Sequence, residues 1–171
     1  MRRSLLFPML VFAAGAGFLP AGCTKLKPIL ADIKGSFKGA GEQPLSTLDQ
    51  TRQRYSCARE DTRLYVEKCD ITPSRVEPGD KIQHVVQYAL CAPSDAVTVQ
   101  GTITRKIKFK GKERKTSSDA EVETFKAGTW TVTAFIEVPD NAPQGVYTLE
   151  TVIRCEDRVI TRSGSFTVRE D

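Results

Sequence analysis

From Arg63 to Val168 the chain alternates, with apolar residues at every second position in one segment after another. Leu64 and Val66 begin the pattern, which Pro73 and then Pro78-Gly79-Asp80 interrupt. Ile82, His84, Val86, Tyr88 and Leu90 next share a face, with Lys81, Gln83, Val85, Gln87 and Ala89 on the other. Val97, Val99, Ile103, Ile107 and Phe109 hold one face of a long third segment. Trp130, Val132, Ala134, Ile136 and Val138 do so in a later one, Tyr147, Leu149 and Ile153 in the next, and Ile160, Phe166 and Val168 in the last. A period of two sends side chains alternately to opposite sides of a strand, so each segment has one face to bury and one to wet. About seven such strands, with turn residues at intervals of about ten, predict an all-β antiparallel β-sandwich. No stretch between them reads as a crossover helix, which argues against a parallel α/β sheet.

The N-terminus carries a different pattern. Arg2 and Arg3 precede an uncharged run from Leu5 to Leu19, followed by small residues and a lysine-bearing segment. The run falls short of the roughly 20 apolar residues that cross a bilayer, and its layout is that of a signal peptide over residues 1–22. The stretch Leu19-Pro20-Ala21-Gly22-Cys23 resembles the lipobox of bacterial lipoproteins. Ala21 and Gly22 match the small residues before the cysteine; Pro20 stands where that family carries leucine, with Leu19 one place further back. The resemblance implies cleavage before Cys23, a diacylglycerol on its sulfur and hence a membrane anchor. Thr24, not Asp, follows, which under the sorting rule of enteric bacteria implies the outer membrane of the cell envelope, on its periplasmic side or at the cell surface. The alternative is ordinary cleavage at the A-x-A pattern Ala14-Gly15-Ala16. Cysteine parity favours lipidation: of Cys23, Cys57, Cys69, Cys91 and Cys155, setting Cys23 aside leaves an even set for an oxidising compartment.

Residues 23–58 read as the lipidated N-terminus and a flexible tether, rich in lysine and glycine. Ile29, Ile33 and Phe37 recur every four positions, so a short amphipathic helix from Pro28 is the competing reading. Ser46 to Arg54 allows a further helical turn or two. The sandwich is assigned to residues 59–171.

Two stretches, Val76-Glu77-Pro78-Gly79-Asp80-Lys81-Ile82 and Val138-Pro139-Asp140-Asn141-Ala142-Pro143-Gln144-Gly145-Val146-Tyr147-Thr148-Leu149, resemble the strand-entering turns of bacterial immunoglobulin-like domains. The antibody-type pattern is not met, since Trp130 is on the wrong strand and Tyr147 is far from Cys155. In the topology that the resemblance implies, the strands ending at Cys91 and Cys155 run in the same direction and finish at one pole. That pairs Cys91 with Cys155 and, by default, Cys57 with Cys69. Cys57 with Cys91 is the competing connectivity, because Cys57 precedes the first strand at the same pole.

Charge is modest overall, +4 by formal count, and Arg2 and Arg3 of the leader supply two of it. This falls short of the clustered basic face of a nucleic-acid binder. Locally, Arg105 to Lys115 is densely basic, which suggests anionic lipid, lipopolysaccharide or wall polymer. An antiparallel register sets Lys106 opposite Glu123, Lys108 opposite Glu121 and Lys110 opposite Asp119, with Ile107 opposite Val122. Such a charge ladder would be structural, leaving Lys112, Arg114 and Lys115 on an eight-residue loop, Gly111 to Ser118, as candidate partner-binding residues. Val85 and Phe135, facing away from the apolar rows, could form an outward patch.

Nothing in the sequence assembles an active site. His84 is the only histidine and shares the apolar face of its segment, as a core or rim residue would; no metal-ligand spacing, haem or redox motif, nucleophile elbow or phosphate loop is present. The expectation is a non-enzymatic module without small-molecule or metal cofactor, anchored to a membrane and binding an envelope protein or polymer. An accessory subunit of an envelope secretion or assembly machine is the alternative, by fold analogy alone.

Overall fold

The computed structural model describes residues 38–116 and 121–169. The leader, Cys23, the pattern of Ile29, Ile33 and Phe37, and Asp119 lie outside the described residues. In chain order the elements are β1 (Lys38–Ser46), α1 (Leu48–Tyr55), β2 (Arg63–Thr72), β3 (Arg75–Val76), β4 (Lys81–Cys91), β5 (Thr98–Phe109), β6 (Lys112–Thr116), β7 (Glu121–Lys126), β8 (Gly128–Glu137), β9 (Gly145–Cys155) and β10 (Arg158–Val168). They form an immunoglobulin-like β-sandwich. One sheet runs β1-β8-β4-β2; the other runs β3-β10-β9-β5, with β6 and β7 both edging β5. All pairings are antiparallel except the short β3–β10 pair.

The described part of the expected tether belongs to the sandwich. β1 pairs with β8 from Lys38 opposite Phe135 to Ser46 opposite Thr129. Its Glu42 forms an ion pair with Lys126 of β7 and accepts a hydrogen bond from the Tyr88 hydroxyl at 3.0 Å, while that hydroxyl accepts the Lys126 N–H at 3.0 Å. These bonds tie the two sheets together along their open side. Helix α1 starts at Thr47, whose hydroxyl accepts from Gln50 N–H while the Gln50 side chain accepts from Thr47 N–H, a reciprocal cap that satisfies two orphan donors. The helix covers the outer face of the first sheet, burying Leu48 and bonding Thr51 to Thr129 at 2.9 Å. The glycine and lysine content of residues 23–58 concealed this, because an edge strand held by backbone pairing needs little apolar signal of its own.

The apolar rows anticipated from the alternation line the interior, in two clusters. One holds Leu64, Val66, Val86, Tyr88, Leu90, Ile103, Phe125 and Ile153; the other holds Ile82, Ile107, Phe109, Ile136, Tyr147, Leu149 and Phe166. Between them lies a polar layer. His84 separates Ile82 from Val86 on β4, Arg105 separates Ile103 from Ile107 on β5, and Thr151 separates Leu149 from Ile153 on β9. His84 is 1%, Arg105 0% and Thr151 0% exposed. Arg105 Nε donates to His84 Nδ1 at 3.0 Å, and Arg105 Nη1 meets Glu121 at 2.5 Å. An arginine can only donate, so Nδ1 is the acceptor nitrogen of a neutral imidazole and Nε2–H faces Thr151 Oγ1, 3.1 Å away. Burial, reinforced by the adjacent guanidinium, pushes the His84 pKa down to about 3, with Asp70 opposing weakly.

Cys57 and Cys91 form a disulfide, with Cα atoms 6.3 Å apart; Cys69 and Cys155 are free. This corrects the expected pairing of Cys91 with Cys155 and of Cys57 with Cys69. Cys91 and Cys155 do end strands at the same pole, but on different sheets, and only Cys155 faces the interior cluster. Period two also turns Cys91 outward, away from the Ile82–Leu90 row and toward the end of α1, where Cys57 lies. Cys69 sits six residues into β2 from the end that pairs with Cys91, too far from Cys57 to bond. Burial raises the Cys69 thiol to about 11 and moves Cys155 the same way.

Two outcomes follow. Because unfolded His84 regains its ordinary pKa of about 6.5 while the folded residue stays neutral, the unfolded state binds the extra proton below pH 6.5 and stability rises with pH across the window from about 3 to 6.5. Urea unfolding from pH 6.5 to 5 should show a loss of about 2 kcal/mol from this group, and a His84→Gln variant should have a flatter profile there; equal slopes would contradict the neutral-histidine layer. Second, the disulfide closes a 34-residue separation, worth about 3–4 kcal/mol by the chain-entropy account. The Cys57→Ala/Cys91→Ala double variant should lose that order of stability, and peptide mapping without reductant should link Cys57 to Cys91 alone.

Candidate functional site

The densely basic segment folds as a tight β-hairpin. Lys110 and Gly111 form a two-residue turn with φ of +50° and +73°, the left-handed pair that matches strand twist and that glycine adopts without penalty. Phe109 opposes Lys112 across it, followed by Lys108 opposite Glu113, Ile107 opposite Lys115 and Lys106 opposite Thr116. The expected loop from Gly111 to Ser118 is therefore, as far as described, strand β6.

The expected charge ladder is not formed. β7 pairs with the first half of β5, with Ile103 opposite Glu121, Gly101 opposite Glu123 and Val99 opposite Phe125. Relative to the ladder, β7 is displaced by an odd number of residues, which exchanges its faces. Glu121 and Glu123 point inward with Phe125, and Val122, expected opposite Ile107, is 75% exposed. The physical reason is Arg105: a guanidinium sealed in the core requires a carboxylate within reach, and Glu121 supplies it only in this register. Glu123, beside Glu42 and Glu121, has its carboxyl raised, chiefly by burial. Inward-pointing charges also blunt the exposed edge that β7 presents.

The strand lysines are paired differently from expectation: Lys106 meets Glu113 at 3.7 Å and Lys108 meets Glu150 at 2.6 Å. The cations that remain outward around the turn are Lys110 and Lys112, while the Arg114 Nε is buried. Lys110 and Lys112 are exposed and Arg114 is half-buried, and none of the three is in an ion pair among the described residues. The Lys110 ammonium lies 5.2 Å and the Arg114 guanidinium 5.8 Å from the centre of the Phe109 ring. Phe109 in turn stacks on Tyr147 at 4.7 Å, and Tyr147 on Phe166 at 5.3 Å. The hairpin thus grows from a rigid aromatic base continuous with the core. Of the three sequence candidates, Lys112 and Arg114 are brought to this surface. Lys115 is in register opposite Ile107. Lys110 was missed as a site residue; its signal was the Lys110-Gly111 pair between two alternating runs.

Val85 and Phe135 fall on the outer face of the first sheet as adjacent diagonal neighbours, since Val85 opposes Thr133 and Gln83 opposes Phe135; Phe135 is 42% exposed. At the disulfide-bearing pole an open groove of about 650 Å³ is lined by Leu45, Leu48, Asp95, Thr98, Lys126 and Trp130 among others. Among the described residues no group of His, Cys, Asp and Glu is arranged to hold a metal ion.

The surface position of the turn makes a simple expectation. Lys110→Ala and Lys112→Ala should each change stability by no more than about 0.5 kcal/mol in urea unfolding, as for substitutions away from packed features. Arg105→Leu, which strands Glu121 and leaves His84 Nδ1 without its donor, should cost about 3 kcal/mol or more.

No family model matches the sequence, and no curated relative does. Among solved structures, the chain is similar to an alkylpurine DNA glycosylase from Pseudomonas fluorescens bound to DNA containing an abasic site analog, at 15% identity and a TM-score of 0.48, over 63% of this chain and 30% of that one. It is similar also to the CARDB domain of a Pyrococcus furiosus protein in complex with di-metal ions, at 14% identity and a TM-score of 0.44, over 63% of this chain and 89% of that one. A sporulation control protein from Bacillus subtilis gives 12% identity and a TM-score of 0.40, over 65% and 49% of the two chains. These proteins differ in function, and at such identities the likeness says nothing of what this chain binds; its own geometry, an immunoglobulin-like sandwich bearing a basic hairpin, is what characterises it.

Proposed function

We propose that the protein is an exported, lipid-anchored lipoprotein of the cell envelope, acting as a non-enzymatic interaction module whose contact element is the β5–β6 hairpin. The observation that carries the reading is the pair Lys110 and Lys112, left outward on a rigid aromatic base with Arg114 half-buried beside them, while Lys106, Lys108 and Arg105 are paired with Glu113, Glu150 and Glu121. Such a surface suits an anionic partner, through charge and not through shape. The anchor is supported by the lipobox-like Leu19–Cys23, and the disulfide is compatible with an oxidising compartment outside the cytoplasm. The non-enzymatic part rests on His84, the one general-base candidate of its kind: it is 1% exposed, with both ring nitrogens occupied by Arg105 and Thr151, and so is closed to substrate.

The test is capture from detergent-solubilised envelopes, wild type against Lys110→Glu/Lys112→Glu. Reversing both charges should reduce recovery of anionic lipid or polymer by about ten-fold or more. Unchanged recovery would remove the hairpin as the contact.

A further inference from the structure

The hairpin shares its end of the sandwich with the point where the chain enters from Cys23. Lys38, the first residue of β1, pairs with Phe135 near the end of β8, and Lys81 at the start of β4 pairs with Glu137. The turn before β4 is fastened to the same end: Gly79 N–H donates to Val138 C=O at 3.0 Å, and Val138 N–H to Asp80 C=O at 2.8 Å. From Val138 the chain crosses to the second sheet and begins β9 at Gly145, where a Cβ would lie 2.9 Å from the Phe109 ring. Phe109 is the last residue of β5, directly before Lys110-Gly111. Lys38 and the hairpin turn are therefore at one pole. The disulfide and the groove around Trp130 are at the other, since Ser46 opposes Thr129, and Gly128 opposes Leu90 next to Cys91.

We propose that this pole faces the bilayer, with Lys110 and Lys112 docked on anionic phospholipid headgroups of the membrane that holds the Cys23 acyl chains. The inference rests on the lipid anchor proposed above and names the anionic partner of the hairpin. Fourteen residues lie between Cys23 and Lys38, a span of at most about 50 Å when fully extended, and this stretch carries Lys25, Lys27 and Lys34. The chain thus delivers its N-terminal pole to the surface, and the cations already stand at that pole. The carboxylates there, Glu77, Asp80, Glu137 and Asp140, sit in the other turns and at the end of β8. Asp80 accepts the Glu77 N–H at 2.8 Å in the turn between β3 and β4, and Asp140 lies against Gly79. The charge asymmetry favours docking through the β5–β6 side of the pole, since each basic residue near an anionic surface strengthens attachment by about five-fold at low screening. The orientation leaves the Trp130 groove and the disulfide pole directed away from the membrane.

The mature acylated protein can be placed in nanodiscs of phosphatidylcholine with or without phosphatidylglycerol and its lysines acetylated under pulse conditions, with modification read by peptide mass spectrometry. Lys110 and Lys112 should react about five-fold more slowly in the anionic discs, Lys68 on β2 should react equally in both, and high salt should abolish the difference. Lys112→Glu should reduce the protection of Lys110. An acylated N-terminal peptide together with equal Lys110 and Lys112 rates overturns the docking and leaves the anchor standing. An N-terminal peptide without acyl mass overturns the anchor and this orientation with it. Protection seen only when lipopolysaccharide is present overturns phospholipid as the partner.

Discussion

The buried contact between Arg105 and His84 constrains more of this molecule than any other interaction. A guanidinium with no exposure loses its hydration entirely, a cost of several kcal/mol that only fixed partners can offset. His84 offers a neutral nitrogen from the opposite sheet, and Glu121 offers a negative charge from the neighbouring strand. The first contact fixes how the sheets lie over one another; the second fixes the register of β7. Thr151 completes the layer by holding the imidazole tautomer that Arg105 needs. The apolar core is divided in two as a result, and whichever way β4 or β7 slipped by one residue, the cation would face hydrocarbon.

The same demand explains how charge is distributed on the surface. With Glu121 and Glu123 drawn inward, the carboxylates of β7 are unavailable to neutralise the lysines of β5. Lys106 and Lys108 take Glu113 and Glu150 instead, and the turn cations are left outward. The basic hairpin is in this sense a consequence of the core: a conventional apolar residue at position 105 would have permitted the ladder that cancels the charge. Proximity to the N-terminal pole then gives that charge a direction relative to the proposed anchor.

Several features were legible beforehand and for identifiable reasons. The rows of Ile82–Leu90 and Val132–Val138 were correctly assigned to the interior, because burial on one face leaves a period-two trace that nothing else in the chain imitates. The same trace gives His84 as a core or rim residue, and it lies in the core. That trace also held an unused clue to the disulfide: if Leu90 faces in, Cys91 faces out, and a partner on the other sheet is excluded. Arg105 was missed because a basic residue among basic neighbours looks like surface, although its odd number places it on the face of Ile103 and Ile107. Strand β1 was missed because glycine, lysine and proline give no alternation, and its membership depends on pairing with β8, ninety residues away in round terms.

Alternation and turn residues by themselves determined that this chain forms a two-sheet β structure with its apolar rows facing inward, since these depend only on the local direction of side chains along a strand. The register of β7, the choice among disulfides, the recruitment of β1 and the set of cations left outward were decided only in the tertiary structure. Each is a question of which distant groups meet, and here the answers turn on satisfying one buried charge and on which strands and helix ends are brought side by side, neither of which has a local signature.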